Sequence, residues 1–295
     1  MKVKYTNLDK VYFPDEGYTK GDVIAYYERM AEVMLPYLMD RPMVLNRHPN
    51  GIAKPSFYQK DNPNELPDFI ETESIFSESN NKDIQYIVCR NSETILYMAN
   101  LGCIEMNPWN SRVQNLGKPD WYVIDLDPGN NTFEQVIEVA KVTKELLDLS
   151  CEKSYVKTSG KTGIHIYIPL GGKYGYEQIR EFARLIAQTV HQRIPDITSI
   201  DRDPRKRRKK IYIDFLQNRI GQTLAAPYSL RPVKGANVSA PLEWKEVRKG
   251  LTPEKFNIKS IERRLKTKGD LWDGLLEDSV NLSEAIKCLE AELGK

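Results

Sequence analysis

Two aspartates with one residue between them close a short apolar run, Trp121-Tyr-Val-Ile-Asp-Leu-Asp-Pro-Gly129. The apolar residues predict a buried strand that Pro128 and Gly129 end, and alternate strand residues point the same way. Asp125 and Asp127 should therefore share a face, where two carboxylates repel one another unless a cation lies between them. Oxygen ligands of this kind suit Mg²⁺ or Mn²⁺. The residues alone also allow an ordinary turn, in which Asp127 caps the next helix.

A glycine-rich segment follows, Thr158-Ser-Gly-Lys-Thr-Gly-Ile-His165. Small residues let backbone N–H groups approach an anion, and Lys161 and His165 can add charge or hydrogen bonds. The spacing is not that of a P-loop. The chain has three histidines, and one directly after a glycine-rich turn favours a functional role over a core role.

A third carboxylate arrives beside a basic run. Residues 205–210 are all Arg or Lys and lead into a predicted strand, 211–215, that carries Asp214. A charge run is usually a solvated face, but here it adjoins a further potential metal ligand. The segment 225–231 is predicted to be extended and to deliver Arg231.

Cations and aromatic residues near the N-terminus form a second group of candidates. Lys10 and Lys20 flank a turn at a predicted helix start, which suits a phosphate, although two solvated lysines would look the same. Phe57 and Tyr58 precede Lys60 in a predicted exposed loop. A ring beside a cation could stack on a base and bind its phosphate; a pair of core aromatics is the alternative.

Hydrophobic periodicity and capping signals predict the elements that position these residues. Helices are expected after the Thr19/Asp22 and Thr132/Gln135 pairs, at 177–192 and from Asn100 to Glu105. Strands are expected at 41–48, 84–88, 94–97, 154–157 and 211–215, with an irregular segment at 61–82. This mixture favours an α+β fold with mixed and antiparallel sheets flanked by helices, and an active-site cleft between two sheet modules.

Composition excludes several classes of protein. Lys and Arg total 43 against 41 Asp and Glu, so any nucleic-acid surface must come from local clustering. The four cysteines, Cys89, Cys103, Cys151 and Cys288, form no C-x-x-C pair, which argues against a zinc site or a disulfide framework. No apolar run of membrane-spanning length is present, and a soluble cytoplasmic protein is expected.

Taken together, the motifs resemble the archaeo-eukaryotic primase superfamily, and more specifically the polymerase domain of DNA ligase D, the non-homologous end-joining polymerase. Seven stretches carry the resemblance in family order: Leu8-Asp-Lys-Val-Tyr-Phe-Pro, Tyr18-Thr-Lys-Gly-Asp, Ser56-Phe-Tyr-Gln-Lys, Val123-Ile-Asp-Leu-Asp-Pro-Gly, Thr158-Ser-Gly-Lys-Thr-Gly-Ile-His, Ile213-Asp-Phe-Leu-Gln-Asn and Ala226-Pro-Tyr-Ser-Leu-Arg.

The resemblance implies roles for the candidate residues. Two divalent ions, Mn²⁺ or Mg²⁺, would be held by Asp125, Asp127 and Asp214. The triphosphate of an incoming NTP or dNTP would be bound by Ser159, Lys161, His165, Arg207 and Arg231. Lys10 and Lys20 would grip the 5′-phosphate of a downstream strand, and Phe57, Tyr58 and Lys60 would contact template or gap-flanking bases.

The resemblance further implies one primase-polymerase domain over 1–295, with an N-terminal module to about 110, a catalytic module at about 111–250 and a C-terminal helical extension at 251–295. Its expected activity is template-directed, ribonucleotide-preferring nucleotidyl transfer that fills gaps and extends ends in non-homologous end joining. The implied partners are DNA ends or gaps with a 5′-phosphate, Ku and a DNA ligase, fused or separate. A monomer associated with the nucleoid, and with no membrane, is expected.

Two positions depart from the family pattern. Thr162 stands where the family has a lysine directly before the second glycine, and Asn107 where many relatives have a histidine. Three alternatives remain open: a replicative primase of the same superfamily, a metal-dependent nuclease, and a non-catalytic module that binds DNA ends. Lys10 and Lys20 count against the primase, because a primase does not need to bind a downstream 5′-phosphate. The residues implied to bind a triphosphate count against the nuclease, which has no triphosphate substrate. The clustered carboxylates count against a module that only binds DNA, because they would weaken that binding.

Overall fold

The computed structural model of the chain describes residues 3–62, 65–78, 80–150, 153–207 and 209–292. In chain order the strands are β1 (Val11–Phe13), β2 (Tyr18–Thr19), β3 (Arg41–Arg47), β4 (Phe57–Gln59), β5 (Glu71–Ser77), β6 (Lys82–Cys89), β7 (Cys103–Pro108), β8 (Trp121–Asp127), β9 (Tyr155–Thr158), β10 (Ile164–Pro169), β11 (Thr198–Ser199), β12 (Ile211–Asp214) and β13 (Pro241–Leu242). The helices are α1 (Lys20–Leu38), α2 (Ser92–Asn100), α3 (Phe133–Ser150), α4 (Tyr176–Arg193), α5 (Ser260–Lys268) and α6 (Leu282–Glu292). The predicted α+β class is confirmed.

The chain divides into two compact units. The first consists of Met1–Gln114, Thr223–Ala240 and Phe256–Gly269, and the second of Asn115–Gln222, Pro241–Lys255 and Asp270–Lys295. The sequence-based division of one domain at about 110 and 250 stays a prediction. Cys151 and Arg208, which the sequence analysis considered, lie outside the described residues.

An antiparallel sheet organises the first unit. Its strand order is β4-β3-β6-β5, and β7 pairs with β3. The helix α1 begins at the predicted capping box, in which Asp22 N donates to Thr19 Oγ1 (3.2 Å) and Thr19 N to Asp22 Oδ2 (2.7 Å). Its buried stripe matches the predicted one and includes Val23, Ile24, Tyr27, Met30, Ala31 and Met34.

Four predictions for the first unit are wrong. The predicted exposed loop that carries Phe57 and Tyr58 contains β4, which pairs with β3. The predicted strand at 94–97 lies within α2, because Asn91 caps a helix there: its Oδ1 accepts hydrogen bonds from Thr94 N and Oγ1, both at 2.8 Å. The predicted helix from Asn100 to Glu105 is instead the end of α2, a turn at Gly102 (φ +85°) and the start of β7. The segment 61–82 contains β5, whose polar residues reflect an exposed edge strand paired with β6.

The second unit is built on a sheet with strand order β11-β12-β8-β10-β9-β13. The aspartate strand β8 runs antiparallel to both of its neighbours, β10 and β12. Because side chains alternate along a strand, Tyr122, Ile124 and Leu126 occupy one face of β8 and Asp125 and Asp127 the other. The first face is apolar and buried, and Phe182 of α4 packs edge-on against Tyr122.

The opposite face is apolar at one end and polar at the other. Trp121 and Trp272 both pack against Tyr167 at the apolar end, and Trp272 Nε1 donates to Val156 O (3.2 Å). The aspartates occupy the polar end. In the part of the chain that the structure describes, no helix is both long and apolar enough to cross a membrane.

Candidate active site

Strand register aligns four polar side chains across the second unit, and three of them are predicted site residues. Asp125 of β8 lies directly opposite Asp214 of β12 on one side and His165 of β10 on the other. His165 in turn lies opposite Lys157 of β9. Directly opposed residues of antiparallel strands share a face. The row Asp214, Asp125, His165, Lys157 therefore crosses four neighbouring strands on one face.

The middle of this row is held by polar contacts. His165 Nε2 lies 3.4 Å from Asp125 Oδ1, and the two side chains are 4% and 19% exposed. On its other side, the Nδ1 atom of His165 lies 2.9 Å from Lys157 Nζ. The predicted functional histidine is thus buried beside the first aspartate.

Asp127 lies near Arg207, which is predicted to bind the triphosphate. Its Oδ2 lies 3.8 Å from Arg207 Nη1, and its Oδ1 accepts a hydrogen bond from Gly129 N (3.2 Å). The Arg207 guanidinium lies 3.6 Å from the centroid of the Tyr212 ring, which faces Asp127 from β12. The cap of α3 is Thr132, which exchanges hydrogen bonds with Gln135 as predicted. Asp127 is therefore not the helix cap.

Asp214 lies at the end of β12 in a partly buried position. Its Oδ1 accepts a hydrogen bond from Leu216 N (2.8 Å) and its Oδ2 from Gln217 Nε2 (3.1 Å). Burial raises the pKa of Asp214 above its ordinary value, although these hydrogen bonds and one from Tyr212 oppose the shift. Burial likewise raises the pKa of Tyr212, to about 12.

Asn218 fixes the position of Asp214 relative to β8. Beyond the end of β12, the Asn218 side chain makes the hydrogen bonds to β8 that a paired strand would make. Its Oδ1 accepts a hydrogen bond from Val123 N (2.8 Å), and its Nδ2 donates one to Val123 O (2.7 Å). An asparagine amide can satisfy both backbone groups of one residue in this way. The Asn in the Ile213-to-Asn218 motif thus extends the pairing that holds Asp214 beside Asp125.

The donor set of this face fits hard divalent cations. Asp125 and Asp214 lie opposite one another, where Cβ atoms are about 4.5–5.5 Å apart, and Asp127 shares their face. Carboxylate oxygens are the ligands that Mg²⁺ and Mn²⁺ prefer. Within the described residues, no three acidic, His or Cys side chains already converge as a metal centre. The three carboxylates instead contact protein donors, which a cation would have to replace.

The glycine-rich turn between β9 and β10 lies tightly against β8. Ser159 Oγ accepts hydrogen bonds from Lys161 N (3.1 Å) and Gly163 N (2.9 Å), and Ser159 N donates to Gly163 O (2.9 Å). A Cβ atom at Gly163 would lie only 2.5 Å from Leu126 O. Ser159 therefore shapes the turn, whose Lys161 is partly exposed.

Arg231 and Asn107 belong to the first unit. Arg231 Nε lies 3.0 Å from Glu105 Oε2, and the two side chains are only 10% and 4% exposed. Asn107 is buried as well, and its Nδ2 donates to Val44 O (3.3 Å) and Glu105 O (3.2 Å). Asn107 thus supports the strands on which Glu105 lies, while the triphosphate role of Arg231 stays a prediction.

The two N-terminal lysines form a cluster of cations with an arginine that the sequence analysis missed. Lys20 is buried and donates to Thr6 O (2.7 Å), and Lys10 donates to Pro49 O (2.9 Å). Burial, and then the charges of Lys10 and Arg47, lower the pKa of Lys20. Close cations of this kind favour an anion. The signal for Arg47 was its place at the end of β3, directly before a turn.

Phe57 and Tyr58 lie on the edge strand β4, where both rings are exposed. Phe57 is opposite Arg47, whose guanidinium lies 5.2 Å from the ring centroid. Tyr58 is opposite Asn46, which donates to its hydroxyl (3.3 Å). Successive strand residues point to opposite faces, so the two rings do not form one stacking surface. Lys60 is exposed just beyond β4.

Comparisons with known proteins agree on one family. The family model "LigD, primase-polymerase domain" matches residues 19–272. The chain is 35% identical over 270 residues to the bifunctional non-homologous end joining protein LigD of Bacillus subtilis, covering 91% of this chain and 43% of that protein. It is 33% identical over 284 residues to the multifunctional non-homologous end joining protein LigD of Mycolicibacterium smegmatis, covering 94% of this chain and 36% of that protein.

A solved structure has the same fold. The polymerase domain from Mycobacterium tuberculosis Ligase D, in complex with DNA, matches with a TM-score of 0.87 and 29% identity, over 94% of this chain and 99% of that one. The chain spans less than half the length of the two LigD proteins it matches. It corresponds to nearly the whole of the solved polymerase domain.

Proposed function

Because the chain belongs to the LigD primase-polymerase domain family, whose members are nucleotidyltransferase-type enzymes, we propose that it is a template-directed polymerase of non-homologous end joining. It fills short gaps and extends DNA ends, with a preference for ribonucleotides. The observation that carries this proposal is the placement of Asp125, Asp127 and Asp214 on one face of the sheet, with Asp125 and Asp214 directly opposed.

The proposed reaction joins the primer 3′-oxygen to the α-phosphorus of an incoming nucleotide. The bond between the α-phosphorus and the oxygen that bridges to the β-phosphorus breaks, and pyrophosphate leaves. The proton of the 3′-hydroxyl passes to solvent. Two divalent cations, Mn²⁺ or Mg²⁺, would activate the hydroxyl and offset the charge on the pyrophosphate. Asp125, Asp127 and Asp214 would hold these ions, because their oxygens are the hard ligands that such cations need.

Residues around the carboxylates supply what a triphosphate needs. Arg207 stacks on Tyr212 beside Asp127, so its guanidinium is held at the edge of the carboxylate face. His165 lies beside Asp125, and the glycine-rich turn that carries Ser159 and Lys161 packs against β8. Planar guanidinium groups bind phosphate through paired hydrogen bonds. These groups would neutralise and orient the triphosphate for in-line attack.

The first unit carries the groups proposed to bind DNA. Lys10, Lys20 and Arg47 form a cluster of like charge, which a 5′-phosphate would relieve. Phe57 lies beside Arg47 and can stack on a neighbouring base. Ku and a DNA ligase are proposed partners, and the chain is proposed to act as a monomer at the nucleoid in the cytoplasm.

Extension of a 5′-labelled primer on gapped DNA tests this function. The downstream strand carries a 5′-phosphate or a 5′-hydroxyl, and NTPs or dNTPs are supplied with Mn²⁺ or Mg²⁺. We expect extension that needs the metal and disappears in Asp127→Asn, whereas Asp196→Asn, an exposed aspartate of the same unit, extends normally. Lys20→Ala should reduce extension only when the 5′-phosphate is present. A shortened primer, or binding without any product, would contradict the proposal.

A further inference from the structure

A cavity of about 240 Å³ lies beside Asp214 in the second unit. Three arginines line it, namely Arg202 and Arg207 from the loop before β12 and Arg219 from the turn after β12. Tyr212 and Asp214, which are two residues apart on β12, line it as well. Because alternate residues of a strand point to the same face, the cavity lies on the face that carries the three aspartates.

The lining of the cavity is cationic. Among the described residues that line it, three arginines stand against one carboxylate, that of Asp214. Both oxygens of this carboxylate accept hydrogen bonds from the turn that follows β12. Arg202 and Arg219 are exposed, and neither forms an ion pair with a carboxylate in the part of the chain that the structure describes. Their two guanidinium groups can therefore bind an anion that enters the cavity.

Arg207 fixes the loop that carries Arg202. Its Nε donates to Asp201 O and its Nη2 donates to Arg202 O, both at 2.9 Å. Its Nη1 lies 3.8 Å from Asp127 Oδ2. All three nitrogens of this guanidinium thus face protein groups, which leaves Arg202 and Arg219 as the arginines that a ligand in the cavity would contact.

Arg219 is held at the cavity by a second, separate segment. It directly follows Asn218, whose side-chain amide bonds both backbone groups of Val123 on β8. The carbonyl oxygen of Arg219 also accepts a hydrogen bond from Gln222 N (3.1 Å). Two cations therefore reach one cavity from two segments whose backbones are fixed independently, an arrangement that suits a defined binding site.

The position of the cavity distinguishes between the two anionic reactants of the proposed reaction. Asp125 has β12 on one side, with Asp214, and β10 on the other, with His165. His165 and the glycine-rich turn, which are proposed to bind the triphosphate, lie on the β10 side. In-line displacement places the attacking oxygen and the leaving pyrophosphate on opposite sides of the α-phosphorus. The cavity lies on the β12 side, where the strand that carries the attacking 3′-hydroxyl would arrive.

The size of the cavity agrees with this assignment. Pockets for whole small-molecule ligands measure about 300–1,000 Å³, and this cavity is smaller. It suits a single phosphodiester group better than a complete nucleotide. Guanidinium groups bind phosphate oxygens through paired, charge-assisted hydrogen bonds.

We propose that Arg202 and Arg219 bind one phosphodiester group of the primer strand close to its 3′ end. This contact holds the 3′-hydroxyl beside Asp214. The inference rests on the proposed polymerase function and adds a binding site for the primer to it. Both arginines bind substrate away from the reacting atoms, so their loss weakens primer binding and leaves nucleotide binding unchanged.

Binding of a primer–template with a recessed 3′ end tests the site without catalysis. Fluorescence anisotropy is measured with Mg²⁺ and without nucleotide. We expect the variant that combines Arg202→Gln with Arg219→Gln to raise the Kd about tenfold and to reduce the slope of log Kd against log salt by about 1. Arg248→Gln, which changes an exposed arginine of the same unit, should alter neither quantity. Equal binding by the double variant and the wild type would overturn the proposal.

Neutral methylphosphonate linkages show which phosphate the arginines bind. The three linkages nearest the 3′ end of the primer are replaced one at a time, and a linkage remote from that end is the control. We expect one of the three replacements to weaken binding by the wild type about tenfold. The same replacement should cause no further loss in the double variant, because the arginines and the phosphate form one contact. Losses that multiply at every linkage, or a wild type that responds to none of the three, would refute the site.

Steady-state extension separates the primer from the nucleotide. We expect the double variant to raise the KM for primer–template about tenfold and to leave the KM for NTP unchanged. A raised KM for NTP with an unchanged KM for primer–template would assign the cavity to the nucleotide instead and contradict the proposal. If wild-type protein extends no primer, the proposed function fails, while the binding measurements still decide whether the cavity takes a phosphodiester group.

Discussion

Replacing Gly163 by alanine tests how closely the glycine-rich turn must approach the aspartate strand. The added Cβ would lie 2.5 Å from Leu126 O and 3.5 Å from Leu126 C. Relaxed contacts between carbon and carbonyl oxygen are about 3.3–3.6 Å, so the two segments must separate by roughly 1 Å. Leu126 lies between Asp125 and Asp127, and the displacement therefore falls on the carboxylates themselves.

The expected cost has two parts. Forcing one extra methyl group into a packed site costs about 1–3 kcal/mol of stability. A shift of about 1 Å in a catalytic group can lower the rate about 100-fold. The backbone of Gly163 is not in the left-handed region, so alanine carries no penalty from φ and the whole effect is steric.

Chemical denaturation and primer extension measure the two parts. Gly117→Ala is the matched control. Beyond Gly117 and its two chain neighbours, no heavy atom of the described residues lies within 4 Å of a Cβ there, and its φ is also outside the left-handed region. We expect Gly163→Ala to unfold at lower denaturant concentration than Gly117→Ala and to extend primers about 100-fold more slowly. If the two variants have the same denaturation midpoint and the same extension rate, the turn does not need to approach β8 as closely as described.

Three further predictions address the buried charges and the aromatic residues. Burial raises the pKa of Asp214 in the folded protein above its unfolded value, so the stability of the protein falls as pH rises through that folded-state pKa. Asp214→Asn should therefore raise the Tm of chelator-treated protein at pH 7. If the variant also has the higher Tm below the ordinary carboxyl pKa, this reasoning is contradicted. Glu105→Ala removes the carboxylate that lies 3.0 Å from the Nε atom of the buried Arg231. It should lower the free energy of unfolding by about 3–5 kcal/mol, the usual cost of removing one partner of a buried ion pair. Adding Arg231→Met should recover most of this loss, and an unchanged denaturation midpoint in the single variant would refute the pairing. Phe57→Ala should weaken binding of gapped DNA by about 1–3 kcal/mol, and by more when the DNA carries a 5′-phosphate. Any effect of Tyr58→Ala should not depend on that phosphate. Fluorescence anisotropy would measure both variants, and an equal dependence on the phosphate would contradict the placement of the two rings on opposite faces of β4.

The aspartate strand could be predicted because its signals are local. An apolar run, a Pro-Gly stop and the alternation of side chains placed Asp125 and Asp127 on one face. The direct opposition of Asp125 and Asp214 could not be predicted, because register is set by pairing between strands that are distant in sequence. Here Asn218 fixes that pairing by bonding both backbone groups of Val123.

The failures at 94–105 come from short elements. The weak alternation at 94–97 suggested a strand, but the cap at Asn91 starts a helix instead. Gly102 then ends that helix, and the following residues form β7 because β3 is available to pair with them. Elements of fewer than ten residues take their structure from such tertiary partners more than from local propensity.

Lys157, Arg47 and Glu105 were missed for one shared reason. Each is a charged residue within or at the end of a strand, where a single sequence gives no sign of whether the side chain is exposed. Lys157 acquires its chemical interest only from its contact with His165, and Glu105 from its contact with Arg231. These contacts become visible only when strand pairing is known.

Coupled measurement of primer length and pyrophosphate shows whether the face with the three aspartates catalyses nucleotidyl transfer. A primer with a recessed 3′ end, template, NTPs and Mn²⁺ are incubated with wild-type protein and with Asp125→Asn, and both products are quantified in the same reaction. We expect one pyrophosphate for each nucleotide that the wild type adds, and neither product from the variant. Primer shortening without pyrophosphate, or equal extension by Asp125→Asn, would contradict a polymerase site built on these three aspartates.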